Sequence, residues 1–247
     1  MPKKNKFIIA IDGPAASGKG TVARQIANIL GFVYLDTGKI YRALAQKVID
    51  NHINSQDTET VLELVPQLSL EALDDVRLKQ EDVGNMASKI AANADIRQAL
   101  VAFQHNIAYN PVFADGTYAQ GSVLDGRDIG SVICPDADIK FYITASLEAR
   151  AQRRYLELKE KDKSLTYEGV YQDLHSRDER DQNRNCAPLQ CSQESIKIDT
   201  TDMSSQEVYD KAMDYIQQTN LYNEVAAANE AMASQQAVKC VNDHKGR

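Results

Sequence analysis

The sequence predicts an α/β domain: a parallel sheet flanked by helices. Three observations predict it. A short aliphatic run, Phe7–Ile11, leads into a Gly-containing turn and then into apolar residues at helical spacing, Val22, Ala23, Ile26, Ala27 and Leu30. Strand-like and helix-like segments keep alternating beyond it, as crossover connections between parallel strands require. The chain's 247 residues, 43% hydrophobic and 26% charged, suffice for one large domain with a sizeable core.

The elements follow in order. Gly31 punctuates the first helix, Phe32–Leu35 reads as a second strand, and Ile40–Ile49 returns to helical spacing. Residues 52–82 are polar, carry Pro66 and hold only weak helical pieces such as Thr60–Leu64, so an inserted lobe is expected there. Val83–Ala108 predicts two helices parted near Asn93–Asp95. Val112–Ala114 and Ser122–Leu124 flank the turn-rich Asp115–Gly121, which predicts a small hairpin at the sheet edge. Ile139–Thr144 is a further strand, followed by a charged helix from Ser146 and another after Thr166, with Lys159–Ser164 as an exposed corner. Ile196–Ile198 reads as the last short strand. Ser204–Gln218 closes the domain as a helix capped by Ser204 or Ser205 with Glu207 following. Beyond Thr219 the chain is rich in Ala, Asn and Gln without an apolar stripe, so residues 1–221 are expected to form one domain and 222–247 a loosely docked polar tail.

Composition excludes several classes. No aliphatic run approaches the roughly 20 residues of a spanning helix, and the basic Met1–Lys6 is not followed by the apolar region of a secretory signal. A cytoplasmic protein without membrane attachment is expected. Cys134, Cys186, Cys191 and Cys240 show no C-x-x-C spacing and read as ordinary reduced thiols. A formal net charge of −7 argues against a nucleic-acid-binding surface. Within this acidic chain Arg150, Arg153, Arg154, Arg177, Arg180 and Arg184 crowd one stretch, which suggests a local anionic ligand.

Gly13-Pro14-Ala15-Ala16-Ser17-Gly18-Lys19-Gly20-Thr21 follows the first strand and opens the first helix. In that context G-x-x-x-x-G-K is a phosphate-binding loop: its backbone N–H groups turn inward, the helix N-terminus adds partial positive charge, and Lys19 reaches the β and γ phosphates of a nucleoside triphosphate. The common pattern has Ser or Thr directly after the lysine, in contact with Mg²⁺; here Gly20 stands there and Thr21 one later. The G-K-G-T form resembles nucleoside monophosphate kinases, in which nucleotide and waters largely hold the magnesium. A direct Thr21 ligand is therefore not assumed.

Phosphoryl transfer to a second nucleotide needs a separate anionic pocket. Three segments can build one. Leu35-Asp36-Thr37-Gly38-Lys39-Ile40-Tyr41-Arg42 brings Thr37 and Arg42 to the mouth of the sheet; Leu124-Asp125-Gly126-Arg127-Asp128-Ile129-Gly130 ends another strand; and Arg177, Asp181 and Arg184 share one helix face. Each alone has an ordinary structural explanation, an ion-paired surface helix or a simple turn. In this order after a phosphate loop they closely resemble bacterial cytidylate kinase, from about Phe7 to Gln218. The motifs that carry the resemblance are I-D-G-P-A-A-S-G-K-G-T, L-D-T-G-K-I-Y-R, D-G-R-D-I-G, K-F-Y-I-T-A-S, R-A-Q-R-R, R-D-E-R-D-Q-N-R and I-D-T-T.

The resemblance implies a nucleoside-monophosphate-kinase-like phosphate-loop fold, a parallel five-stranded sheet flanked by helices, with an acceptor-binding insert at about 51–110 and a lid at about 150–184. It implies ATP with Mg²⁺ as donor, CMP or dCMP as acceptor, and a monomer. Ser88, Arg97 and Asp128 match positions facing the cytosine, and Asp181 the carboxylate near the acceptor sugar. Arg42, Arg127, Arg177 and Arg184 match arginines on or near the acceptor phosphate. Arg150, Arg153 and Arg154 begin the helix into the lid; Arg150 and Arg154 are expected at the reacting phosphates with Lys19, and Arg153 elsewhere on ATP. Asp125 is expected near magnesium, through water. Other acceptors, UMP or a small hydroxylated metabolite, are the runner-up. A nucleotide-dependent switch is disfavoured because no N-K-x-D box is present.

Overall fold

The computed structural model describes residues 6–160, 162–220, 222–225 and 227. Five strands, β1 (Phe7–Asp12), β2 (Val33–Asp36), β3 (Gly121–Gly126), β4 (Ile139–Thr144) and β5 (Ile196–Asp199), form one parallel sheet in the order β2-β3-β1-β4-β5. The helices among the described residues are α1 (Lys19–Leu30), α2 (Thr37–Asp50), α3 (Thr58–Leu62), α4 (Glu81–Ile90), α5 (Ala94–Tyr109), α6 (Leu147–Leu158), α7 (Tyr167–Asn183) and α8 (Ser205–Gln217), with short 3-10 turns between Val65 and Lys79.

Central β1 alternates between two cores, as strand geometry requires. Ile8 and Ala10 pack with Leu124 against Ile40 and Leu44 of α2, Val83 of α4 and Ile96 and Leu100 of α5. Ile9 and Ile11 face Val22 and Ile26 of α1 and Met213 and Ile216 of α8. The expected insert thus closes one face of the main core, because its helices carry the apolar residues that cover it. A third cluster joins Ala15 of the phosphate loop to Ala151, Val170 and Leu174 of α6 and α7.

Local capping sets several boundaries. The Asn93 side chain accepts from the N–H groups of Asp95 and Ile96, separating α4 from α5 where the sequence places the break. Ser204, with Glu207 answering, forms the capping box of α8.

Two expectations are corrected. Ser122–Leu124 is not an arm of an edge hairpin: all six residues of β3 are buried, and the strand lies parallel between β2 and β1. Only two of its residues, Val123 and Leu124, are large and apolar, and the buried Ser122 donates its hydroxyl to the Ala108 carbonyl at 2.9 Å, so the run is too short and polar to signal a strand covered on both faces. Val112 instead makes an isolated antiparallel bridge to Tyr118 across the tight turn. Nor does packing stop at 221. Residues 222–225 are helical, and Val225, 2% exposed, joins the core between α1 and α8. The remainder of the expected tail lies outside the described residues, apart from Ala227.

Candidate active site

The carboxyl ends of β1, β2 and β3 open into one cleft of about 600 Å³. The loop after β1 enters it under tight constraint: a Cβ on Gly13 would stand 1.9 Å from the Ile143 carbonyl oxygen on β4, so only glycine fits. The loop ends on Gly18, φ 86°, which precedes α1 without a side-chain cap or an acidic residue in the first turn. The first N–H groups of α1 are left for a ligand, the arrangement that binds phosphate. Lys19 Nζ donates to the Pro14 carbonyl at 3.2 Å. Burial, reinforced by the nearby Arg127, holds its ammonium well below the ordinary lysine range.

Facing Lys19 are two carboxylates. Asp36 and Asp125 are register partners at the ends of β2 and β3. Burial, then the negative charge of Asp36, pushes Asp125 up. Thr37 Oγ1 donates to the Asp125 carbonyl at 2.8 Å and ties the start of α2 to β3. Behind the loop, Asp12 accepts from the N–H groups of Ile129 and Gly130, both at 2.8 Å, and fixes the π turn that follows Asp128.

The far end of the cleft is a guanidinium–carboxylate network. Arg97 of α5 pairs with Asp128 Oδ2, while Arg184 Nη2 lies 3.9 Å from Asp128 Oδ1. Arg127 Nε donates to Asp181 Oδ2 at 2.7 Å. Burial alone would raise Asp181, but Arg127 and Arg177 outweigh it and hold the carboxyl below its usual range. Arg177 is pushed down to about 9 by burial and by Arg127, and its Nε has no hydrogen-bond partner; neither does Arg184 Nη2. Nine Lys and Arg side chains and seven carboxylates line the cleft, a local positive excess in a chain of net charge −7. Buried donors without acceptors, in a positively charged cleft that begins at a phosphate loop, call for an anionic ligand.

The profile of the cytidylate kinase family matches residues 9–218. A cytidylate kinase of Paramagnetospirillum magneticum is 44% identical over 209 residues, covering 85% of this chain and 97% of that protein. A cytidylate kinase of Bartonella bacilliformis is 42% identical over 205 residues, covering 83% of this chain and 92% of that protein. The chain belongs to the cytidylate kinase family. In fold it also resembles an uncharacterized protein from Eubacterium ventriosum, with a TM-score of 0.50 at 16% identity over 87% of this chain and 100% of that one.

Most residues that the family resemblance singled out meet in the cleft: Ala15, Ala16, Ser17, Gly18, Lys19, Gly20 and Thr21 at one end, Ser88, Arg97, Asp128 and Arg184 at the other, with Thr37, Arg42, Asp125, Arg127, Arg177 and Asp181 between. Gly13 and Pro14, also expected at ATP, do not line the cleft: Gly13 lies against the Ile143 carbonyl, and the Pro14 carbonyl accepts from Lys19. Arg150 is the main correction. Expected at the reacting phosphates, it does not line the cleft; buried, it donates to the carbonyls of Ala145 and Ala15 and pairs with Asp178. Its first-turn position on α6 aims it at the underside of the loop, where the backbone oxygens need a donor. Arg153 lines the cleft, yet its guanidinium is engaged by Thr200 Oγ1 and by the carbonyls of Thr200, Thr201 and Met203. Arg154 bridges Glu157 and, from α6 across to α4, Glu81. Arg42 donates to the carbonyls of Leu78 and Gln80.

Several cleft residues were not singled out by the sequence reading. Tyr41 lies under Arg97, whose guanidinium carbon is 5.5 Å from the ring centroid. Tyr41 and Asp36 stand in the same motif as Thr37 and Arg42, so both had a signal there. Tyr34 had none, since strand register alone brings it to Asp125. Arg180, one of the arginines crowded along the chain, does not line the cleft, but its Nε donates to Ser88 Oγ at 3.1 Å.

The donor set is compatible with magnesium carried on a nucleotide. Among the described residues no three His, Cys, Asp or Glu side chains converge to cage an ion. Two adjacent carboxylates beside a phosphate cradle suit an ion that keeps its waters and takes its remaining oxygens from phosphates.

Proposed function

We propose that this protein transfers the γ-phosphoryl group of ATP to CMP or dCMP, giving ADP and CDP or dCDP. One observation carries the site-level reading: two buried guanidinium donors without a hydrogen-bond acceptor, Arg177 Nε and Arg184 Nη2, in the same cleft as the phosphate loop. An acceptor phosphate oxygen attacks the γ-phosphorus as the bond to the β–γ bridging oxygen breaks, and that electron pair leaves with ADP. The acceptor phosphate, with its second ionisation near pH 6, is a dianion at neutral pH and needs no general base. The residues therefore work by position and charge. Lys19 and the α1 N–H groups hold the donor phosphates, while Arg42, Arg127, Arg177 and Arg184 gather the acceptor phosphate. Asp181, kept ionised by Arg127, takes the sugar, and Ser88, Arg97 and Asp128 take the base. Magnesium, arriving with ATP, supplies charge neutralisation on the β and γ phosphates, and Asp36 and Asp125 would hold its water shell.

Residues 51–110 as an acceptor lobe, 150–184 as a lid, and a monomeric, cytoplasmic working form belong to the same reading. The salt bridge from Arg154 to Glu81 supports a lid, because it joins α6 to the start of α4 across the cleft mouth. No helix among the described residues is long and apolar enough to cross a membrane. An acceptor panel tests the proposal. ADP should form rapidly with CMP or dCMP, slowly with UMP and hardly at all without acceptor. Preferential use of another acceptor, or acceptor-independent ADP release at the same rate, overturns it.

A further inference from the structure

The residue after the phosphate-loop lysine is Gly20 in this chain, where the common pattern has a hydroxyl that meets magnesium. The structure shows what uses the space. A Cβ on Gly20 would stand 3.2 Å from Asp125 Oδ2 and 3.4 Å from the Tyr34 hydroxyl oxygen. That hydroxyl donates to Asp125 Oδ1 at 3.1 Å. Arg24 fixes the Tyr34 ring, its guanidinium carbon 5.3 Å from the centroid. Tyr34 comes from β2 and Asp125 from β3, so the contact depends on the register that pairs Asp36 with Asp125.

We infer that Tyr34 is a positioning residue for phosphoryl transfer: its hydroxyl holds the Asp125 carboxylate over Gly20 and beside Lys19. A side chain on the neighbouring strand thereby takes the place of a loop hydroxyl. This rests on the kinase reading above, with Mg-ATP as donor. A side chain at Gly20 would touch both members of the pair and press the Asp125 carboxylate aside by a few tenths of an ångström. A purely structural role predicts something different. The Tyr34 ring and its contact with Arg24 survive replacement by Phe, whereas the bond to Asp125 does not.

Calorimetric titration of the full chain with a non-hydrolysable ATP analogue, once in Mg²⁺ and once in EDTA, separates the two. Partners that orient metal-associated groups typically matter by about 10–100-fold. For a single hydrogen bond we expect Tyr34→Phe to bind the analogue about tenfold more weakly in Mg²⁺ and within about twofold of the parent in EDTA. Equal loss in both conditions, or no loss in either, overturns the inference. If the parent itself bound no analogue, the donor reading would fall and this inference with it.

Discussion

Asp128→Asn separates charge from shape at the base end of the cleft. Asp128 is buried between two guanidinium groups, with side-chain exposures of 7% for Asp128, 6% for Arg97 and 3% for Arg184. Asparagine keeps the outline and one acceptor oxygen but leaves two buried cations without their shared counter-charge. Removing one partner of a buried pair costs about 3–5 kcal/mol. Because the amide oxygen still accepts from Arg97, we expect the lower end, about 3 kcal/mol, or roughly 6–12 °C in melting temperature for a domain of this size. The effect on acceptor choice is separate. Cytosine presents an exocyclic amine where uracil presents a carbonyl oxygen, and a carboxylate facing that oxygen leaves two acceptors unpaired at about 1–3 kcal/mol, or roughly five- to a hundredfold in efficiency. The asparagine amide can donate to uracil, so kcat/KM for CMP should fall and the CMP/UMP ratio should narrow by a factor in that range. Parallel kcat/KM measurements on both acceptors decide it. If both fall equally and the ratio is preserved, Asp128 only holds Arg97 and Arg184 in place; an unchanged melting temperature would refute the burial argument.

Four further outcomes follow from named contacts. Lys19→Met should leave the circular dichroism spectrum intact and lower turnover at least about a hundredfold, as expected for losing one preorganised charge; turnover within about threefold of the parent overturns that role. Arg150→Met breaks the buried pair with Asp178 and the bond to the Ala15 carbonyl, so thermal unfolding should show a loss of about 3 kcal/mol, and parent-like stability would restore Arg150 as a candidate for the phosphates. Ending the chain at Leu221 removes the buried Val225 and the partly buried Tyr222 and should cost at least about 1.5–3 kcal/mol, whereas ending it at Ala227 keeps both; equal melting temperatures for the two would show that neither contact adds stability. Burial pushes the Asp12 carboxyl up to about 6, against 3.8 without that environment, so between these values the folded chain holds a proton that the unfolded chain has released. This group's contribution to stability is present below pH 3.8 and lost as pH rises through 6. Denaturant titrations across that window should show the slope flattened in Asp12→Asn, and an unchanged slope would refute the assignment.

The phosphate loop was legible residue by residue because it is local: glycines at fixed spacing, a preceding strand and a following helix decide its shape. The Asn93 break and the Ser204 cap were legible for the same reason, since each is settled within three residues. Where sequence reading failed, long-range packing decided. Ser122–Leu124 looked like an edge because its residues do not reveal that two neighbouring strands cover it. Arg150, Arg153 and Arg154 were all expected on ATP, yet one supports the loop from below, one holds the turn at 200–203 and one reaches Glu81.

By itself the sequence determined that this is an α/β phosphate-loop protein with an arginine-rich second pocket, since helical spacing and backbone sterics act over a few neighbouring residues. Only the tertiary structure decided which charges meet. Asp36 stands beside Asp125 because β2 and β3 pair in one register, and Asp128 lies between Arg97 and Arg184 because α5, the turn after β3 and the end of α7 converge there. Those neighbours are fixed by how buried apolar faces fit together, and residue spacing along the chain carries no record of that fit.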